Sequence, residues 1–225
     1  MTNTDSDTAD EAQTGAERST DTDGPPVSAS PPDTTVQTTG TDHVTLVGSN
    51  ADDTVAFYRD VLGMRLVLRQ PNLDRPEVTH LFFDSGDGRL VTFFVDESRD
   101  SEPADQEPGV GAVHHLAFRI DHERLDAVRE RLADGGYGYS EYDRGAFHAL
   151  YTTDHNGLTI ELVVDKYAIP DDRRAEVLAH AQSERVAADD DFVDDDHVEA
   201  ALDALDLPVE RRDVPDAPAG RGYTE

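Results

Sequence analysis

The chain has 225 residues, no cysteine, and 49 acidic against 19 basic side chains, which gives a formal net charge of -30. Phosphate groups would repel this charge, so we expect no nucleic acid and no membrane surface as a partner. Without cysteine the chain forms no disulfide, and any metal must bind to nitrogen and oxygen ligands. Since no apolar run matches a signal peptide or the roughly 20 residues of a membrane span, we expect a cytoplasmic protein.

Composition divides the chain into three regions. Residues 1–39 contain almost no large apolar side chains and are predicted to be a disordered acidic tail. Residues 40–168 are predicted to form one compact domain, interrupted by an acidic linker at 98–111. Residues 169–225 are predicted to be a helical, acidic extension. Because acidic residues also pervade the central domain, the composition favours a halophilic protein, whose self-repulsion is screened in concentrated salt.

The first module, about residues 41–97, is predicted to have the order βαβββ. Asp52 or Asp53 is expected to cap its helix, and Asp87-Gly88 is a hairpin turn signal. The predicted elements are a strand at His43–Val47, a helix at Thr54–Leu62, and strands at Met64–Arg69, Val78–Phe83 and Leu90–Val95.

The second module, about residues 112–166, repeats this order, which predicts an α+β fold in which two paired βαβββ modules form a curved mixed sheet. Its predicted elements are a strand at Val113–Ile120, a helix at about 123–133, and strands near Tyr137–Tyr142, Phe147–Thr153 and Leu158–Val164. In the extension, helices are predicted at Asp171–Val186 and His197–Leu205. Asp196 and Glu199 are expected to form a capping box at the second helix.

Three polar residues, His43, His115 and Glu161, lie in apolar segments that are typical of strands. Burying such groups costs several kcal/mol unless they are paired or bound. Two histidines and one carboxylate form the ligand set of non-haem Fe(II) oxygenases, with coordination positions left open. Strand alternation places a small residue two positions after each ligand, which leaves room for a substrate: Thr45, Ala117 and Val163. Five further histidines are predicted to be incidental and to lie in turns or on exposed faces: His122, His148, His155, His180 and His197.

The paired modules resemble the vicinal oxygen chelate superfamily, which includes glyoxalase I, extradiol ring-cleaving dioxygenases and bleomycin-resistance proteins. The resemblance rests on four motifs: His43-Val-Thr-Leu, Phe57-Tyr-Arg-Asp-Val-Leu-Gly-Met, His115-Leu-Ala-Phe and Asn156-Gly-Leu-Thr-Ile-Glu. Within the superfamily, two further segments are similar to hydroquinone-type ring-cleaving dioxygenases: Asn72–Pro76 followed by His80–Phe83, and Asp143-Arg144 followed by Phe147 and Tyr151.

The resemblance implies a ring-cleaving dioxygenase that acts on a catechol or hydroquinone with O2. It implies Fe(II) as the metal, with Mn, Zn or Ni as alternatives, and it allows a homodimer. Tyr151 matches the active-site tyrosine of the family, and Arg144 matches an arginine that can hold a phenolate. His114 and His80 are candidate acid–base groups, because imidazole titrates near neutrality.

Two other functions stay open. Glyoxalase I-like lyases and isomerases use four ligands, with a carboxylate on the last strand of each module. Aligning Gly88 with Gly157 places Thr92 at the first of these positions, and threonine is a poor metal ligand, so the three-ligand interpretation is favoured. The second alternative is a metal-free binding or resistance protein, against which the ligand trio argues. Asp42 stands where hydroquinone-type relatives tend to carry another histidine, which leaves the substrate open.

Overall fold

A computed structural model describes residues 27–99 and 109–214. Residues 27–39 are exposed and form neither helix nor strand, whereas the rest of the predicted tail lies outside the described residues. Most of the predicted linker and the last part of the extension also lie outside them. Within the described ranges, no helix has both the length and the apolar character needed to cross a membrane.

The predicted order of elements is confirmed: two βαβββ modules are followed by two helices. The first module consists of β1 (His43–Gly48), α1 (Ala51–Val55), a π-helical segment (Ala56–Val61), β2 (Arg65–Pro71), β3 (Thr79–Asp84) and β4 (Leu90–Val95). The second consists of β5 (His115–Arg119), α2 (Leu125–Asp134), β6 (Ser140–Asp143), β7 (Phe147–Thr153) and β8 (Thr159–Asp165). The extension contains α3 (Arg174–Ala188) and α4 (Asp195–Ala204).

The strands form two mixed four-stranded sheets with the same topology. Their orders are β1-β4-β3-β2 and β5-β8-β7-β6. In each sheet the first strand of the module pairs in parallel with the last, and the remaining pairs are antiparallel. The matching topology confirms the internal repeat and makes positions on β1 and β4 equivalent to positions on β5 and β8.

One apolar core extends through both modules. Alternate residues of β4 and of β8 turn the same way and are buried in it: Val91, Phe93 and Val95, and Ile160, Leu162 and Val164. Phe57 and Tyr58, which follow α1, are fully buried in the same cluster, as is Leu132 of α2. The opposite face of each sheet is therefore the one left for polar side chains.

Hydrogen bonds also join the two modules around α1. The buried Tyr58 hydroxyl donates to the Asp154 carboxylate of the β7–β8 turn at 3.0 Å. The Ser49 hydroxyl donates to the Asn156 side chain of the same turn at 2.8 Å. These contacts fix the first helix against the turn that leads into β8.

Both predicted helix caps are wrong by a few residues. Asn50, in an extended conformation, caps α1 by accepting the backbone N–H of Asp53, so Asp53 lies in the first turn. The capping box of α4 pairs Asp194 with His197. In both cases a side chain nearer the start of the helix satisfies the free backbone donors, and several acidic residues in a row made the choice ambiguous.

The extension packs on the second module through its own apolar cluster. Helices α3 and α4 contact each other and enclose Tyr167, which is fully buried with Val177, Val198 and Leu202. A backbone bridge links Tyr167 to Arg211.

The prediction that His148 and His197 are exposed is wrong. His148 lies in β7 with its Nε2 2.5 Å from Glu141, and His197 lies in the capping box of α4. Both are buried, because other parts of the chain cover them.

Candidate metal centre

The polar face of the second sheet brings His115, Glu161 and Tyr151 together. The register pairs Glu161 with Tyr151 on one side and with Ala117, two residues after His115, on the other. The His115 Nε2 lies 3.0 Å from Glu161 Oε2. The Tyr151 hydroxyl donates to Glu161 Oε1 at 2.5 Å. Glu161 is only 5% exposed, so a buried carboxylate is held between an imidazole and a phenol.

The spacing of His115 and Glu161 fits a pair of metal ligands. Two ligand atoms that lie about 2.1 Å from a metal and at right angles to each other are about 3.0 Å apart. The observed 3.0 Å separation matches this distance. Imidazole and carboxylate are also the donors that an oxygenase-type Fe(II) site uses.

Arg144 places a cation beside this pair. Its Nε donates to the Tyr151 hydroxyl oxygen at 3.0 Å. Its guanidinium carbon lies 4.8 Å from the centre of the Tyr142 ring and 4.9 Å from that of Tyr151. The predicted tyrosine and arginine therefore lie together next to Glu161.

Sequence analysis missed Tyr142 as a member of this group. The signal was present, because Tyr142 ends a predicted strand and precedes Arg144 by two residues. An aromatic ring at that spacing is well placed to stack on the guanidinium.

Burial raises the pKa of the Tyr151 hydroxyl well above its ordinary value, and the hydrogen bond to Glu161 raises it further, while Arg144 acts in the opposite direction. The phenol therefore keeps its proton at neutral pH. In this state it acts as a hydrogen-bond donor towards the carboxylate.

His114 lies immediately before β5 and is exposed. Its Nδ1 is 2.8 Å from Nδ1 of His115. The structure therefore brings His114 to the edge of the same group, although an ideal strand would turn it to the opposite face.

His43 and His80 belong to the first module. The Nδ1 of His43 lies 2.6 Å from the Asp42 carboxylate, and the His43 side chain is 51% exposed. His80 lies in β3, and its ring packs against those of Phe82 and Phe94, with ring centres 3.9 and 4.5 Å away. Burial lowers the pKa of His80, and the nearby His43 lowers it further.

Thr92 takes the position in the first module that Glu161 takes in the second. Thr92 pairs with Thr45, two residues after His43, just as Glu161 pairs with Ala117, two residues after His115. The Thr92 hydroxyl donates to the Thr45 hydroxyl at 2.8 Å, and Thr92 is fully buried. Its oxygen is thus engaged by a neighbouring side chain.

The three predicted metal ligands are not all brought together. Among the described residues, one group of three histidine or acidic ligand atoms lies mutually within 4.8 Å, and it consists of Asp190, Asp194 and His197. The ligand atoms of the predicted trio are therefore not all within 4.8 Å of one another. In the group of Asp190, Asp194 and His197, the two ring nitrogens of His197 already contact the carboxylates of Asp190 and Asp194, at 3.1 and 2.7 Å.

Comparison with known proteins supports the resemblance seen in the motifs. A sequence model of the Glyoxalase/Bleomycin resistance protein/Dioxygenase superfamily matches residues 40–162. The chain is 28% identical over 133 residues to "Putative ring-cleaving dioxygenase MhqE" of Bacillus subtilis (strain 168), covering 58% of this chain and 43% of that protein. It is 31% identical over 117 residues to "Putative ring-cleaving dioxygenase MhqA" of the same organism, covering 51% and 36%. The chain thus spans less than half the length of these relatives.

Solved structures show the same fold. A crystal structure of a "putative dioxygenase" from Bacillus subtilis is 27% identical, with a TM-score of 0.51, and the match covers 59% of this chain and 42% of that one. A glyoxylase/bleomycin resistance protein/dioxygenase domain from Frankia sp. EAN1pec is 19% identical, with a TM-score of 0.50, covering 57% and 99%. The chain therefore belongs to the Glyoxalase/Bleomycin resistance protein/Dioxygenase superfamily.

Proposed function

We propose that this protein is a metal-dependent, extradiol-type ring-cleaving dioxygenase that acts on a catechol or hydroquinone with O2. The observation that carries the proposal is the pairing of His115 with Glu161 at 3.0 Å, with Tyr151 and Arg144 beside them. This group combines two metal ligands, a proton donor and a cation. The similarity to relatives that are named ring-cleaving dioxygenases supports the same function.

His115 and Glu161 would hold Fe(II), and His43 would be the third ligand. Asp42 binds Nδ1 of His43, and a carboxylate on one ring nitrogen commonly orients a histidine so that the other nitrogen binds a metal. Since the three ligand atoms are not all within 4.8 Å, His43 has to approach the pair on metal loading. When bound, Fe(II) supplies the positions at which the diphenol oxygens and O2 meet.

The surrounding side chains would then donate protons and stabilise negative charge. Tyr151 holds its proton at the hydroxyl, beside Glu161, and can donate a hydrogen bond to a substrate oxygen. Arg144 stabilises the negative charge of a phenolate or of the ring-opened product. His114 and His80 are the candidate acid–base groups, one on each module.

The hydrogen bond between the Thr92 and Thr45 hydroxyls favours a dioxygenase over a glyoxalase-type lyase or isomerase. A lyase of that type needs a fourth protein ligand at the place equivalent to Glu161. Here that place is occupied by a hydroxyl that is buried and bonded to Thr45. A three-ligand site keeps more coordination positions open for a diphenol and O2.

The decisive experiment is anaerobic reconstitution with Fe(II), followed by O2 consumption with a panel of catechols and hydroquinones. We expect O2 uptake that matches loss of the aromatic absorbance, and none with Zn(II)-loaded protein. Stoichiometric metal uptake without O2 consumption, together with turnover of a methylglyoxal–thiol adduct, would overturn the proposal in favour of a lyase. Tight binding of an aromatic compound by metal-free protein, without turnover, would favour the binding protein.

Replacement of Glu161 by Gln should abolish metal retention, because the amide is a far weaker ligand than the carboxylate. The side chain keeps its shape and can still accept the Tyr151 hydroxyl, so we expect the fold to survive. Metal content after gel filtration and far-ultraviolet circular dichroism measure the two effects. Glu199→Gln is the matched control, because Glu199 accepts the Tyr167 hydroxyl at 2.7 Å in the extension. Equal metal content in Glu161→Gln and Glu199→Gln would contradict the ligand assignment.

A further inference from the structure

We propose that the C-terminal extension holds Arg144 in position against Tyr151, with Gly145 and Lys166 as the positioning residues. The extension surface concerned, here called the C-terminal clamp, consists of α4 and the residues that precede it from Val193. The clamp lies beyond the family match at residues 40–162. The role of Arg144 towards an anionic substrate rests on the proposed function, whereas its position does not.

Gly145 is the point at which the clamp touches the β6–β7 turn. Its φ is +81°, a backbone conformation that residues other than glycine rarely adopt. A Cβ at this position would lie 2.0 Å from the carbonyl oxygen of Val193. The backbone of the clamp thus packs directly on the residue after Arg144, and only glycine leaves room for this approach.

Lys166, the only lysine in the chain, ties the clamp to the same turn by charge. It is 6% exposed, and its Nζ lies 3.0 Å from Asp143 and 2.5 Å from Asp195 at the start of α4. Asp143 in turn accepts the backbone N–H of Gly145 at 2.8 Å. Asp195 also contacts Arg211 at 2.8 Å. Ion pairs therefore link Asp195 of α4 through Lys166 to Asp143, and a hydrogen bond links Asp143 to the backbone beside Arg144.

The turn is also held by a hydrogen bond across its own ends and by an apolar contact with the extension. The backbone N–H of Arg144 donates to the carbonyl of Phe147 at 2.9 Å, and Ala146 packs on the apolar cluster of the extension. The Arg144 guanidinium lies over the rings of both Tyr142 and Tyr151. Since an arginine side chain has many rotamers, holding its backbone in place and packing its guanidinium on both rings reduces the entropy lost when it binds an anion.

The test reads the position of Arg144 directly, in the full-length protein. In a proton–nitrogen NMR spectrum, the Arg144 Nε–H is bonded to the Tyr151 oxygen and should give a shifted, slowly exchanging signal. Its loss in Arg144→Lys assigns it. In Gly145→Ala we expect this signal to move to the position of solvent-exposed arginines. In Asp195→Asn, which weakens the Lys166 link without adding bulk, we expect it to broaden and exchange faster.

Gly88→Ala is the matched control, because Gly88 has a φ of +82° and no atom within 4 Å of the added Cβ. It introduces the same backbone strain away from the clamp, so the Arg144 signal should stay in place. If Gly145→Ala does not fold, Asp195→Asn still decides the question. An Arg144 signal that is unchanged in the folded variants, or that moves equally in Gly88→Ala, would overturn the proposal.

A second measurement separates this inference from the proposed function. With an active diphenol substrate, displacement of Arg144 should raise KM about tenfold in Asp195→Asn and change kcat less, because a charge-assisted bond to the substrate is weakened. A moved NMR signal with unchanged KM would overturn the positioning role in binding. A moved signal in a protein without ring-cleaving activity would contradict the proposed function and leave the clamp standing.

Discussion

At the scale of single residues, the buried carboxylate of Glu161 depends on the two side chains that hold it, His115 and Tyr151. The register of β7 and β8 places Tyr151 directly opposite Glu161. His148 and His197 were misjudged, because burial depends on packing that the local pattern does not show: His148 contacts Glu141 of the neighbouring strand, and His197 lies in the capping box of α4. Local pattern predicts which face a side chain takes, whereas burial also depends on what covers that face.

Replacement of Tyr151 by Phe should lower kcat at least about 100-fold, because the positioned proton donor is lost. It should also cost about 1.5–3 kcal/mol of stability, since the buried Glu161 loses a hydrogen bond to its charged oxygen. Steady-state kinetics and urea unfolding measure the two effects. Tyr167→Phe removes a comparable bond to Glu199 and should affect stability alone. Full activity in Tyr151→Phe would exclude the hydroxyl from the reaction.

At the scale of elements, the sequence predicts each strand and helix because hydrophobic period and turn residues are local signals. The Asp87-Gly88 and Asn156-Gly157 turns lead into β4 and β8, and the helical segments end close to the predicted residues, although the first one continues from α1 into a π-helical segment. The caps were less predictable, since Asn50, Asp52 and Asp53 compete within one turn and geometry selects among them. The inter-module bond from Tyr58 to Asp154 had no local signal, because it joins residues 96 positions apart.

This bond predicts a loss of stability at alkaline pH. Burial raises the pKa of Tyr58 well above its ordinary value of 10.0, and Asp154 raises it further. Above pH 10.0 an unfolded Tyr58 ionises while the folded one keeps its proton, so the stability that is present below this pH is lost as pH rises. In Tyr58→Phe the free energy of unfolding should fall less steeply above pH 10.0, by about 1.4 kcal/mol per pH unit.

The same variant should be less stable at neutral pH by about 1–3 kcal/mol, because Asp154 loses the buried hydroxyl donor. Urea unfolding at a series of pH values from neutral to alkaline measures both effects. Parallel stability curves for Tyr58→Phe and the parent protein above pH 10.0 would show that Tyr58 ionises equally in both states.

At the scale of the whole molecule, the relation between the two sheets was the least predictable feature. The repeat places His43 and His115 at equivalent strand starts, and the structure confirms this equivalence. Strand patterns contain no signal for the angle or distance between sheets, so they could not show that the three ligand atoms would not all lie within 4.8 Å. The net charge, in contrast, follows from the composition alone, and its effect on stability can be predicted without knowing the geometry between the sheets.

The net charge of -30 predicts that salt stabilises the folded state. Raising KCl from about 0.1 M to about 2 M shortens the screening length from about 10 Å to below about 3 Å and so reduces repulsion between surface carboxylates. We therefore expect Tm to rise steeply over this range. Differential scanning calorimetry measures it, with sucrose at matched osmolality as the control for solvent exclusion. An equal rise in sucrose would argue against electrostatic screening and against a halophilic protein.

The core that extends through both modules has a consequence for folding. Both repeats contribute to one hydrophobic cluster, in which Phe57 and Tyr58 lie with Ile160, Leu162 and Val164. A fragment that ended after β4 would expose this surface to water and should not fold independently. Denaturation of the intact chain should accordingly be a single cooperative transition across both repeats, and hydrogen exchange of the amides in β4 and β8 should report the same free energy of opening.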